Sequence, residues 1–239
     1  MEKITMKKEW KTYRFLDVVR SLPPEKTLQD GLWTRFVLRP LSFPLSWAAL
    51  SLGIGAFAVS CLSALLGAAG GILFALPDYR LAGAGVVLLN LFSVLDCVDG
   101  NIARTRGTAG PWGGWTDAMA GFIVYTAVFF STGLYVFWRD PWWPVLIVAG
   151  LTSSANLLTR IAYQIYKNIA GESAHGTVSF ERILAENAGI TGFLMPLLLV
   201  FHFSGCIKGL WFILWFNAAF YGGGCIFTLL KLGKKAAKA

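Results

Sequence analysis

Three aspartates, Asp96, Asp99 and Asp117, stand where two strongly apolar stretches meet, inside the run LDCVDGNIARTRGTAGPWGGWTDAMAGFIVY (residues 95–125). A carboxylate in hydrocarbon costs roughly 2.5 to 3.5 kcal/mol on insertion scales, so acids in such a place usually face a cavity or a partner. Asp96 and Asp99 are three apart and share one side of a helix. A short connection from Ile102 to Gly113 lets the next helix fold back antiparallel and present Asp117 to them. Such a set makes an all-oxygen cage for a hard divalent cation such as magnesium, manganese or calcium. No histidine or cysteine spacing points to zinc. Gly100, Gly113 and Gly114 remove side chains where backbones or a ligand must come close. Arg104, one turn beyond Gly100, offers a planar fork of donors that suits phosphate. Metal, arginine and a lined cavity together fit phosphoryl chemistry, in which positioning and charge neutralisation do most of the work.

The elements that must hold these residues are membrane helices. Of 239 residues, 56% are hydrophobic and only 14% charged, and the mean hydropathy is +0.59, too apolar for an ordinary soluble domain. A span needs about 20 apolar residues, and six apolar segments can be marked: 47–76, 81–103, 114–138, 142–166, 187–204 and 207–230. The expected fold is an all-α integral membrane protein with six transmembrane helices. The stretch LWTRFVLRPLSFPL (32–45) mixes Trp33, Phe36 and Val37 with Arg35 and Arg39, as an amphipathic interfacial helix would. The chain divides accordingly into a cytosolic N-terminal segment (1–46), a six-helix membrane domain (47–231) and a basic cytosolic tail (232–239).

Six spans place both termini on one side. That side carries 17 lysines and arginines, against Arg80, Arg139 and Lys208 on the other. The positive-inside rule puts the termini, the 104–113 loop and the 167–186 loop in the cytosol, as for a multi-pass inner (cell) membrane protein. The formal net charge of +8 is explained by this topology and by contact with anionic lipid of the bilayer, so no nucleic-acid partner is expected. The charged first forty residues argue against a cleaved signal. Cys61, Cys97, Cys206 and Cys225 show no disulfide or zinc spacing.

The pattern Asp96-x-x-Asp99-Gly100-x-x-Ala103-Arg104, then eight residues and Gly113-x-x-x-Asp117, resembles the signature of the CDP-alcohol phosphotransferase family. RPLS (39–42) and the six-span layout extend the likeness more weakly. The resemblance implies a transferase of phospholipid synthesis that displaces CMP from a CDP-linked donor by an acceptor, using two divalent cations, Mg or Mn. It implies that Asp96 and Asp117 bind both metals and that Asp99 completes the first site. Gly100, Ala103 and Gly113 are then expected to line the cytidine pocket, with Arg104 on the diphosphate. A homodimer would also match the family.

The departure is at the last signature position, which holds an aspartate in the family, the second-metal ligand and proposed base. Here it is Gly121. Four residues after Asp117, it faces the same cavity and leaves it larger and less negative. Three explanations stay open. The acceptor's nucleophile is already anionic; another group (Glu172, His175, Glu181 or Glu186) acts as base; or catalysis is lost and a silent protein binding CDP-linked ligand and metal remains. A more remote rival is an ion transporter whose aspartates form a permeation site. Arg160, near the cytosolic end of the fourth segment, is a candidate for a lipid or acceptor phosphate, against plain snorkelling to the interface. Lys167 reads as a topology residue and His202 as unrelated to the cytosolic chemistry. Gly222 to Gly224 read as a close-packing stripe within or between chains.

Overall fold

The computed structural model describes residues 13–170 and 186–237, and among these every regular element is helical. Two short helices, α1 (Phe15–Arg20) and α2 (Pro24–Gln29), lead into a π-helical turn (Thr34–Leu38) that runs directly into α3 (Arg39–Ser51). Then come α4 (Ala56–Phe74), α5 (Tyr79–Arg106), α6 (Pro111–Arg139) and α7 (Pro144–Ala170). A second π-helical turn (Ile190–Leu194) opens α8 (Met195–Phe203), and α9 (Ile207–Ala236) closes the described chain.

The amphipathic stretch expected as one interfacial helix is therefore a π-turn continuous with α3. Arg39, expected at the interface, is only 6% exposed. The first apolar segment breaks between Ser51 and Ala56, so its span proper is α4. Five helices are long and apolar enough to cross a membrane: α4, α5, α6, α7 and α9. Where the sequence places a fifth span, the apolar helix covers Ile190–Phe203. At 1.5 Å per residue its 14 residues reach about 21 Å, short of a hydrocarbon core of about 30 Å.

Helices α4, α5 and α6 form the centre, α7 and α9 pack beside α6, and α8 lies against α5. The shared core joins Val86, Leu89 and Phe92 of α5 to Val124 and Val128 of α6 and to Leu198 of α8. Leu65 and Ile72 of α4 and Leu151 of α7 project outward, the surface a lipid-facing bundle presents. Lipid is as apolar as leucine, so helix association there depends on close packing. At Gly70 an added Cβ would sit 2.9 Å from the Gly85 carbonyl oxygen, so any side chain would push α4 off α5.

The α5–α6 hairpin positions the signature. Gly107 ends α5 in the left-handed region at φ 68°, a conformation L side chains rarely adopt. Pro111 then starts α6 where its missing N–H costs nothing. At the far end of the bundle Tyr79 stacks on His202 at 4.5 Å, and the Arg139 guanidinium lies 5.9 Å from the Tyr79 ring. Arg80 and Arg139 thus stand at the end opposite Arg104 and Arg106, as the alternation of spans requires.

Candidate functional site

Asp96 on α5 and Asp117 on α6 face each other across the hairpin in one cleft. Both line a cleft of about 260 Å³ whose other walls come from Gly121, Phe122 and Tyr125 of α6 and from Arg160, Tyr163 and Gln164 of α7. Asp99 does not join them. Three residues turn a helix by about 300°, leaving Asp96 and Asp99 roughly 60° apart round the axis. Asp96 is aimed at α6 and Asp99 at α4, where Ser60 donates its hydroxyl to Asp99 Oδ2. Asp99 is only 6% exposed. Among the described residues no three His, Cys, Asp or Glu side chains converge as a metal site. The cage expected from spacing is a carboxyl pair plus one acid turned a fraction of a turn away.

The arginines of the signature region are built into a buried polar network. Asn101, with no exposed surface, donates from Nδ2 to the hydroxyls of Ser42 and Ser46 on α3 at 3.0 and 3.1 Å. Its Oδ1 accepts from Arg104 Nη2 at 2.7 Å and from Arg39 Nη1 at 3.5 Å. Arg39 is held in turn by Asp30, Nε to Oδ2 at 2.7 Å and Nη2 to Oδ1 at 3.1 Å. Bidentate pairing of this kind fixes the guanidinium plane. The Nε of Arg104 is buried and has no partner among the described residues.

Gly100 acquires a definite part here. An added Cβ would lie 3.1 Å from Arg104 Nη1 and 3.4 Å from Nη2. The missing side chain is what lets Arg104 fold back along its own helix. Ala103 is half-buried on α5, and Gly113 is exposed in the first turn of α6, where an added Cβ would meet nothing within 4 Å. Neither is brought against Asp96 and Asp117 as a wall of their cleft.

Gly121 is buried, one turn beyond Asp117, and lines the cleft. The ring of Tyr125 closes over it, with Cε2 3.1 Å from an added Cβ. Tyr125 carries the Arg160 guanidinium 4.5 Å above its ring centroid, a cation–π contact. Arg160 Nε also donates to Asn156 Oδ1 at 3.2 Å. Arg160 is therefore held against the cleft by two contacts, where simple snorkelling would leave it loose. It also lines a second cleft of about 210 Å³, with Glu186, Thr191 and Tyr221 among its walls. Of the candidate substitute bases, Glu186 lies there; Glu172, His175 and Glu181 fall outside the described residues.

The residues missed by reading spacing alone are Asp30, Ser42, Ser46, Ser60, Asn101 and Tyr125. Asn101 had a visible signal, an amide inside an apolar helix that must find partners. Ser60 and Tyr125 had none, since serines and tyrosines are common in spans for other reasons.

Comparison with known proteins identifies the family and the fold. The family model of CDP-alcohol phosphatidyltransferase matches residues 45–222. Crystal structures of Mycobacterium tuberculosis phosphatidylinositol phosphate synthase share the fold. The form with CDP-DAG bound superposes with a TM-score of 0.54 at 20% identity, covering 78% of this chain and 90% of that one. The apo form gives 0.53 at 19% identity, covering 78% and 95%. No curated protein sequence matches significantly.

Proposed function

The chain belongs to the CDP-alcohol phosphatidyltransferase family, and from that premise we propose how its cleft works. It is a multi-pass membrane transferase that moves a phosphate-containing group from a CDP-activated donor to an acceptor in phospholipid synthesis. The observation that carries the site assignment is the single cleft lined by Asp96, Asp117 and Arg160. Two carboxyl groups facing one cleft at the end of the α5–α6 hairpin are hard oxygen donors, and a divalent cation fits them.

The family uses divalent metal ions, and magnesium or manganese would be held here by Asp96 and Asp117, with Asp99 completing the set on release from Ser60. When bound by these carboxylates, such ions would supply charge neutralisation for the donor's diphosphate and for the departing CMP. The chain's own residues do the rest. Arg104, whose unpartnered Nε is a ready donor, binds the diphosphate, and Asn101 with Arg39 fixes its orientation. Gly100, Ala103 and Gly113 leave room for the cytidine. Arg160 receives the anionic part of the acceptor, held flat by Tyr125. The N-terminal segment (1–46) supplies Arg39 and Ser42 to this network, so it acts with the membrane domain (47–231), while the tail (232–239) meets anionic lipid. The site and both termini face the cytosol by the asymmetry of lysine and arginine, and a homodimer is the expected assembly.

Purified protein in nanodiscs containing CDP-diacylglycerol, with magnesium or manganese and a panel of acceptors, should release CMP. Asp117→Ala should lower the rate by about 10²-fold or more, the scale on which lost electrostatic stabilisation is felt. Gly121 favours a second reading, a silent protein that binds the CDP-linked donor. Donor binding without CMP release across the whole panel would support that reading and overturn catalysis.

A further inference from the structure

Among the described residues, the cleft built on Asp96 and Asp117 is lined by no group able to deprotonate a hydroxyl other than those two acids. Its remaining ionisable walls are Tyr125, Tyr163 and Arg160, none of which is a base near neutral pH. Gly121 removes an acid from this wall, and Arg160 adds a fixed positive charge to it. Both changes penalise a cleft built to activate a neutral alcohol, and both favour an anion.

We infer, on the basis of the phosphotransfer reading above, that the acceptor's nucleophile is an oxyanion of a phosphate monoester or phosphonate, which needs no base. A phosphoryl group has three terminal oxygens. Two can lie on the fork of the Arg160 guanidinium while the third faces the donor; a carboxylate would have both oxygens spent on the same fork. The Tyr125 ring closes over position 121 itself, and it is the cleft of about 260 Å³ beside it that accommodates a tetrahedral group bulkier than a hydroxyl. The second cleft lined by Arg160 sets Thr159, Thr191 and Tyr221 around the remainder of the acceptor, with Glu186 on the same wall set to take any cationic or hydroxyl part of it.

The transfer balances without a proton. The acceptor's anionic oxygen forms a bond to the donor phosphorus distal to cytidine. The bond from that phosphorus to the oxygen bridging to the CMP phosphate breaks, and its electron pair leaves with CMP. One phosphoanhydride linkage is exchanged for another, so the product is a lipid or alcohol joined to the acceptor through P–O–P.

The test uses the full-length protein in nanodiscs with CDP-diacylglycerol and magnesium. Acceptors are offered in pairs: glycerol phosphate against glycerol, inositol phosphate against inositol, 2-aminoethylphosphonate against ethanolamine, with the phosphoryl oxygens labelled with oxygen-18. The expected result is CMP release at least tenfold faster with the phosphorylated member, and a product carrying label in a P–O–P bridge. Product joined through an unlabelled hydroxyl or amine overturns the inference and leaves the transferase reading standing. Absence of CMP release with every acceptor, while donor still binds, overturns both. Gly121→Asp compared with Gly121→Asn separates charge from volume: the Asp variant should be at least tenfold slower than the Asn variant with phosphorylated acceptors. Equal rates, or a gain for Asp with neutral alcohols, would sink the idea.

Discussion

Arg104 shows how one absent side chain shapes the chemistry of another. Its guanidinium lies over Gly100 with Nη1 only 3.1 Å from where a Cβ would stand, and Nη2 is anchored on Asn101 Oδ1 at 2.7 Å. A methyl group at position 100 has to displace the guanidinium, because the helix backbone cannot yield without breaking its own ladder. Gly100→Ala is therefore expected to weaken donor use roughly tenfold in kcat/KM, on the order of 1.4 kcal/mol, through the same group that Arg104→Ala removes. The double variant should be little worse than Arg104→Ala alone, since two changes acting through one guanidinium do not add. CMP release measured over a range of donor concentrations in all four proteins checks this. Additive losses would mean that Gly100 serves the nucleotide directly.

At the scale of elements, Asn101 ties α3 to α5, and through Arg39 and Asp30 it ties both to the segment before the π-turn. Asn101→Leu keeps the volume and removes the acceptor of Arg104 Nη2 and Arg39 Nη1 in a buried space, while the Ser42 and Ser46 hydroxyls keep their bonds to backbone carbonyls. Leaving such groups unsatisfied costs about 1 to 3 kcal/mol, more where charge is involved, so thermal unfolding in detergent should fall by several degrees. Ser42→Ala removes one weaker partner and should cost well under half as much. Five long helices were readable from the sequence because length and hydropathy mark spans, whereas the segment at 187–204 was apolar enough to be taken for a span although its helix, Ile190–Phe203, is shorter. The break after Ser51 was not readable, because Leu52 and Ile54 keep the run apolar while Gly53 adopts φ 75°. The site was legible as a spacing and not as a direction. The signature named Asp96, Asp99 and Asp117 as a group, but which neighbour each faces depends on helix rotation, and only packing against α4 and α6 decides that. Arg160 was visible as an intramembrane charge; its seat on Tyr125 depends on where α7 lies against α6, a long-range contact that no local pattern encodes.

For the whole molecule, charge and geometry must agree on one orientation. Arg104, Arg106 and the turn at 107–110 stand at the end that carries the acid pair, while Tyr79, Arg139 and His202 close the opposite end. With 17 lysines and arginines assigned to the first side and three to the second, a reversed insertion would set the basic ends against the rule that governs membrane topology. It would also leave the water-soluble CMP on the wrong side of the bilayer from its nucleotide pool. Thr108→Cys, in the exposed α5–α6 turn, and Pro141→Cys, in the turn between α6 and α7, report on this with little cost, since both positions are exposed. Because Cys61 and Cys206 are exposed as well, the two variants are best made with those residues replaced by Ala or Ser. In right-side-out vesicles an impermeant maleimide should label the Pro141→Cys protein readily and the Thr108→Cys protein only after permeabilisation. The reverse pattern would move the acid pair to the outer face and require the donor to be supplied from there.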